Sequence, residues 1–179
     1  MPKNSEIFCS KHFKYQDFFH CSDTYQSTQV DNLPQNDATY SFIKQLANDI
    51  LEPCIEYFGS LKLTYGFCSH ELSRAIRKRN GGIYPPLDQH AGMEQKATGE
   101  LICPRGGIAA DFHCLPTSSL TVSKFIVDQL PFDRLYFYGE DRPVHVSVNE
   151  KPINQIVLMQ KAQYRVVPRR ISKSDFMLI

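Results

Sequence analysis

Between residues 83 and 107 the chain carries Pro85-Pro86, Gly92, Gly99, Pro104, Gly106 and Gly107, a spacing of breakers that leaves no room for a regular helix or strand. Irregular stretches of this length are uncommon inside compact domains, and where they occur they usually carry function or mobility. The segment reads as a long loop between regular elements, and its junctions are the first place to look for chemistry. With 179 residues, 42% hydrophobic and 22% charged, the chain suits one domain with a sizeable core and lacks the composition of a disordered one. A formal net charge of +1 supplies no global attraction to nucleic acid or anionic membrane.

Around the loop, periodicity places the elements. Phe13, Tyr15, Phe18, Phe19 and Tyr25 are irregularly spaced and predict an N-terminal wrap that lays its aromatics on the body of the domain. Phe42, Leu46 and Ile50 recur every four residues, widened by Ile43, Leu51, Cys54 and Ile55. This predicts a helix kinked near Glu52 by Pro53 and closed by Gly59. Leu61, Leu63, Tyr65 and Phe67 alternate with polar or small residues as in a strand, and Ser69 is placed to cap a short helix that Asn80-Gly81-Gly82 ends. Past the loop, Ile108 to Phe112 predicts a strand, and Ser118 or Ser119 caps a helix that turns Val122, Phe125, Ile126 and Leu130 inward. Strands over 134–138 and 144–148 follow, joined by a tight turn at 139–143. The stretch 153–159 fits a helix or a strand, and Arg169-Arg170 begin a polar end. No internal repeat and no second domain is visible.

Cysteines at 9, 21, 54, 68, 103 and 114 form no Cys-x-x-Cys pair and read as free, largely buried thiols. His12 and His20, near Cys9 and Cys21, match no zinc spacing. Met1 to Glu6 lacks the apolar stretch of a secretory signal, so the cytoplasm is the expected location. Apolar runs such as Ile156 to Met159 fall far below the roughly 20 residues of a membrane span, so no membrane partner is expected.

The residues able to do chemistry are His90, Asp111 and His145, each at a loop–strand junction or in a strand. Two imidazoles and a carboxylate plus one water is the ligand set of a catalytic zinc site. By spacing alone, solvated or hydrogen-bonded histidines are the more ordinary reading of them.

Ordered motifs add to this. Gln89-His90-Ala91-Gly92, Gly107-Ile108-Ala109-Ala110-Asp111, Phe132-Asp133-Arg134-Leu135 and Val144-His145-Val146-Ser147 follow one another. Upstream lie His12-Phe13-Lys14-Tyr15-Gln16-Asp17-Phe18 and the stretch from Leu46 to Gly66. In this order, over roughly residues 12 to 160, the chain resembles the zinc D-alanyl-D-alanine carboxypeptidase family. The resemblance implies an α+β fold of the hedgehog/DD-peptidase type, a mainly antiparallel sheet with helices packed on it. It implies one Zn²⁺ held by His90, Asp111 and His145, and a peptide or peptidoglycan-like substrate cleaved at an amide bond.

The chain departs from that family in three places. His90 and Asp111 lie 21 residues apart, which makes His113 the substitute ligand and leaves an insert over about 93–105 as a lid beside the metal. Cys68 stands where the family keeps an anion-binding arginine, leaving Arg74 and Arg105 as candidate substrate contacts together with Tyr138. The family's glutamate positions hold Arg142 and Tyr138. Glu140, ahead of its neighbour Asp141, is therefore the candidate base and Arg142 a candidate stabiliser of negative charge. A competing reading is a cytoplasmic metal-binding module whose Arg74, Arg77, Lys78 and Arg79 meet a phosphate-bearing partner such as nucleic acid. Such a cation run is also what a solvated helix end carries.

Overall fold

The structure, a computed structural model, describes residues 6–80, 87–162 and 165–179. The expected Gly81-Gly82 stop and the Pro85-Pro86 break fall outside the described residues.

The N-terminal wrap contains two helices that its irregular aromatics did not announce, α1 (Tyr15–His20) and α2 (Asp23–Thr28). Its aromatics do pack inward: Phe13, Tyr15, Phe18 and Phe19 are buried. Next comes α3 (Asp37–Leu46), which passes through a wide π-helical turn at Ala47–Leu51 into α4 (Glu52–Phe58). Pro53 has no N–H for a regular bond to residue 49 and its ring crowds that carbonyl, so the expected kink takes the form of this turn. Gly59, at φ +85, closes α4 by donating its N–H to the Ile55 carbonyl at 2.8 Å.

Strands β1 (Lys62–Tyr65), β2 (Ile108–His113), β3 (Arg134–Phe137), β4 (Val144–Val148), β5 (Gln155–Ala162) and β6 (Arg165–Ile171) form one sheet in the order β1-β2-β4-β3-β5-β6. All neighbours are antiparallel except β3 and β5, so the fold is α+β with a mixed sheet. Helix α5 (His70–Asn80) follows β1, α6 (Ser119–Gln129) lies between β2 and β3, and α7 (Lys173–Met177) ends the chain. Ser69 and Ser118 cap α5 and α6 through Leu72 N at 3.1 Å and Thr121 N at 3.3 Å.

The tail is the main correction to the expected order of elements. Residues 153–159 contribute a strand, and the supposed polar end supplies β6 and α7, with Phe176 fully buried. Pro168 and two consecutive arginines mask β6 because it is an edge strand, where a missing ladder donor and exposed charge are tolerated.

Alternation sorts the two sheet faces. Ile108, Ala110, Phe112, Leu135, Val144, Val146, Val148 and Ile156 pack into one core with Ile43, Leu46, Ile50 and Ile126 of the helices. Their neighbours in sequence point to the other face. There the register joins one row across all six strands: Tyr65, Asp111, His145, Tyr136, Val157 and Arg170. The polypeptide enters this sheet tightly at Gly107, where φ is +77 and a Cβ would collide with the Val148 carbonyl oxygen.

The six cysteines are free, five of them buried. Among the described residues no helix is long and apolar enough to cross a membrane.

Candidate metal centre

Asp111 and His145 are a register pair of β2 and β4 and rise from the open face of the sheet. His90 arrives from outside it, on a short 3₁₀ turn (Gln89–Ala91) whose N-cap is Asp88; the Asp88 Oδ1 accepts from the His90 N–H at 2.9 Å. His90 Nε2 and Asp111 Oδ1 are 3.3 Å apart, His145 Nδ1 and the same oxygen 2.7 Å, and one ligand atom from each residue lies within 4.8 Å of the others. Ligands bound at zinc distances in a tetrahedron stand about 3.4 Å apart; the donor set suits a zinc ion in number and chemistry, the His90–Asp111 spacing matches that value, and the 2.7 Å His145–Asp111 hydrogen bond would have to open to it. The His90 Nδ1 sits 2.7 Å from the Gly66 carbonyl, which can only accept, so Nδ1 carries the proton and Nε2 presents its lone pair to the centre. Gly66 is itself pressed on the Phe18 backbone, with no room for a Cβ.

A buried polar network fixes this turn. Gln89 donates to the Gly106 carbonyl at 2.8 Å and to Asp133 Oδ2 at 3.0 Å, and its oxygen accepts from Ser147 Oγ at 2.9 Å. Arg105 in turn donates from Nε to Asp133 Oδ2 at 3.0 Å and from Nη2 to Asp133 Oδ1. Two rings stand edge-on to the imidazoles, Tyr65 at 4.3 Å from His90 and Tyr136 at 5.0 Å from His145, centroid to centroid.

The charges are mutually dependent. Burial works against a charged His90, but the Asp88 and Asp111 carboxylates outweigh it and raise the imidazole to about 9. Burial likewise opposes the Asp111 charge, and the His90 and His145 rings overcome it, holding the carboxyl well below the usual range. A raised imidazole stabilises the metal-free fold fully below its ordinary value of 6.5 and loses that contribution as pH climbs through about 9. A depressed carboxyl contributes above its ordinary 3.8 and loses its contribution as pH falls. Metal-free protein is therefore expected to melt highest between about pH 4 and 6.5. A zinc ion held here would have to displace the His90 proton, so its affinity would rise about tenfold per pH unit up to about 9, measurable by chelator competition. An affinity flat with pH would contradict this assignment.

The three residues open on a cleft of about 640 Å³, lined also by Tyr65, Asp88, Arg134, Tyr136, Tyr138 and Arg170. Of the other expected site residues only Tyr138 reaches it, at the rim. Glu140 and Arg142 are exposed in the β3–β4 turn and do not line it; their carbonyls instead receive the Ser119 N–H and hydroxyl. Arg74 is exposed on α5, outside the lining. Arg105 is held by Asp133 rather than turned to the cleft, because a fully buried carboxylate outcompetes solvent for it. His113 pairs with Lys62 across β1 and β2 and is not part of the cluster; His90 is.

None of the residues of the 93–105 insert lines the cleft. The insert folds into a small hairpin bridged at Gln95 and Leu101, and the Glu94 carboxylate at its base accepts from Gln35 N, Asn36 N and Thr39 Oγ1 at 3.0, 3.1 and 2.8 Å. It thus braces the start of α3, away from the cleft. His12 bonds Glu52 at 2.5 Å and His20 stacks on Tyr25, so neither belongs to a ligand cluster among the described residues.

Sequence reading missed Asp88, Arg134 and Arg170. Alternation from His145 and Tyr136 would have found Arg134; Arg170 could not be placed without β6. Comparison with protein-family models, with curated proteins and with solved structures finds no match.

Proposed function

We propose that the chain is a zinc-dependent hydrolase of amide bonds on a hedgehog/DD-peptidase-like scaffold. Its substrate class is a peptide of the peptidoglycan D-alanyl type, and its compartment the cytoplasm. The observation that carries this reading is the convergence of His90 Nε2, Asp111 Oδ1 and His145 Nδ1 at the floor of an open cleft. When bound to these ligands, zinc supplies a water of near-neutral pKa and a Lewis acid for the scissile carbonyl. The chain's own residues do the rest. Gly66 and the Gln89 network hold His90 in the tautomer that ligates. Asp88 replaces Glu140 as the proposed base: it lines the cleft, lies 3.8 Å from His90 Nε2, and its Oδ1 is tied to the His90 N–H, leaving Oδ2 to take a proton. Tyr136 on β3 and Tyr138 just past its end offer the substrate an aromatic wall.

The test is release of D-alanine from a peptide ending in D-alanyl-D-alanine by zinc-loaded protein. Chelation should abolish it, and Asp88→Asn should slow it roughly 10²–10⁴-fold with zinc content retained. A zinc-loaded protein that cleaves no such peptide overturns the proposal.

A second reading has its own support. Arg74, Arg77, Lys78 and Arg79 are all exposed on α5, as a phosphate-contacting helix would require. In that case oligonucleotide binding falls steeply with salt and weakens in Arg77→Ala.

A further inference from the structure

We infer that Arg134, Gln155 and Arg170 form an anion subsite at the far end of the cleft, able to hold a carboxylate or a phosphate of the bound molecule. That this molecule is also the amide substrate rests on the function proposed above; the anion site itself does not.

The sheet register brings the three residues together. Arg134 lies two residues from Tyr136 on β3 and so shares its face with His145. Gln155 is its direct partner on β5, and Arg170 on β6 stands opposite Val157, the partner of Tyr136. The Gln155 amide, with its oxygen toward β6, accepts from Arg170 Nε and, at 3.3 Å, from Nη2. The Arg170 guanidinium is thereby drawn back toward the residue that faces Arg134, and all three line the same cleft.

What they lack is a counter-charge. Among the described residues no carboxylate lies within ion-pair distance of Arg134 or Arg170, whereas Arg105 is matched by the buried Asp133. A glutamine orients Arg170 without cancelling it. Two permanently charged guanidiniums gathered at one end of a cleft repel each other, and an oxyanion with several acceptor oxygens relieves that repulsion through forked hydrogen bonds.

The spacing also constrains the substrate. Strands about 4.8 Å apart and residues about 3.4 Å apart put the Arg134 backbone about 8 Å from that of His145, and the Arg170 backbone about 14 Å away. Side chains of one face rise together, so the anion belongs some two to four extended residues from the amide over the ligands. Tyr136 and Val157 form the floor between.

The experiment titrates inorganic phosphate, and separately succinate, into metal-free ¹⁵N-labelled protein, which keeps zinc from binding the anion itself. Saturable shifts are expected on β3, β5 and β6. They should weaken at least tenfold in Arg134→Gln/Arg170→Gln and stay unchanged in Lys44→Gln/Lys62→Gln, exposed cations outside the cleft lining. Gln155→Glu retains both arginines but supplies the missing charge internally, and should weaken binding as well; this covers a double variant that fails to fold. Preference for phosphate or for succinate identifies the source of the anion. No saturable binding of either anion, equal weakening in the lysine control, or full affinity in Gln155→Glu would overturn the site. Zinc content is measured separately: protein that binds anions here but takes up no zinc would remove the hydrolase and leave the subsite.

Discussion

Arg105→Ala is expected to cost the fold about 3–5 kcal/mol, because it strands a charged Asp133 in the interior. Asp133 has no exposed surface, and its two oxygens serve Arg105, Gln89 and the Ile153 N–H at 3.1 Å. Arg105 also closes the loop after β4 by donating to the Lys151 carbonyl at 2.5 Å. Urea unfolding measures the loss, and a change below about 1 kcal/mol, the range of an exposed ion pair, would show that solvent already reaches Asp133. Because Gln89 precedes His90, the same variant is expected to lower zinc affinity about 10–100-fold, the usual cost of disturbing a partner of a metal ligand. This distinguishes Arg105 as a positioning residue from the substrate contact that its sequence position suggested.

Asp111→Asn is expected to reduce zinc affinity by more than about 100-fold, beyond the cost of losing a ligand's partner. Its carboxylate supplies the anionic donor of the set and is the group that both imidazoles face. A neutral amide of the same size preserves packing but neither attracts the ion nor holds a proton on His90. The pH dependence of zinc binding should therefore flatten in this variant, and the metal-free protein at pH 8 should melt lower, because the charge that both imidazoles stabilise is gone. Chelator competition at pH 6.5 and 8.5 reads both effects. Retained affinity would mean that Asp111 merely orients His145.

Much of the site was legible because its residues follow simple periodicities. Asp111 and His145 each sit among alternating apolar residues, so the same alternation that buries Ala110, Phe112, Val144 and Val146 sends them to the opposite face. The non-ligand members of the motifs, Gln89, Asp133 and Ser147, prove to be the buried network that aims His90. The carboxylates and cations around the centre were harder to assign, because long polar side chains in turns and at strand ends obey no period. Glu140 and Arg142 lie close to His145 in sequence, yet the tight turn carries them out to solvent. Asp88 drew no notice in the sequence and gains its place only when the turn that it caps docks beside β2. The course of the insert escaped notice for a related reason: it depends on Glu94 reaching the Gln35 and Asn36 N–H groups just before α3 and the Thr39 hydroxyl within it, contacts 55 to 59 residues away in the chain. β6 and α7 escaped notice because an edge strand with a proline and exposed arginines carries no clean hydrophobic pattern.

Diffraction from crystals grown with zinc, recorded on both sides of its absorption edge, addresses the central claim most directly. One strong anomalous peak is expected within about 2.0–2.2 Å of His90 Nε2, an Asp111 oxygen and a His145 nitrogen, with the cleft side left open. A peak held by other side chains, or none in the presence of excess zinc, would contradict the account.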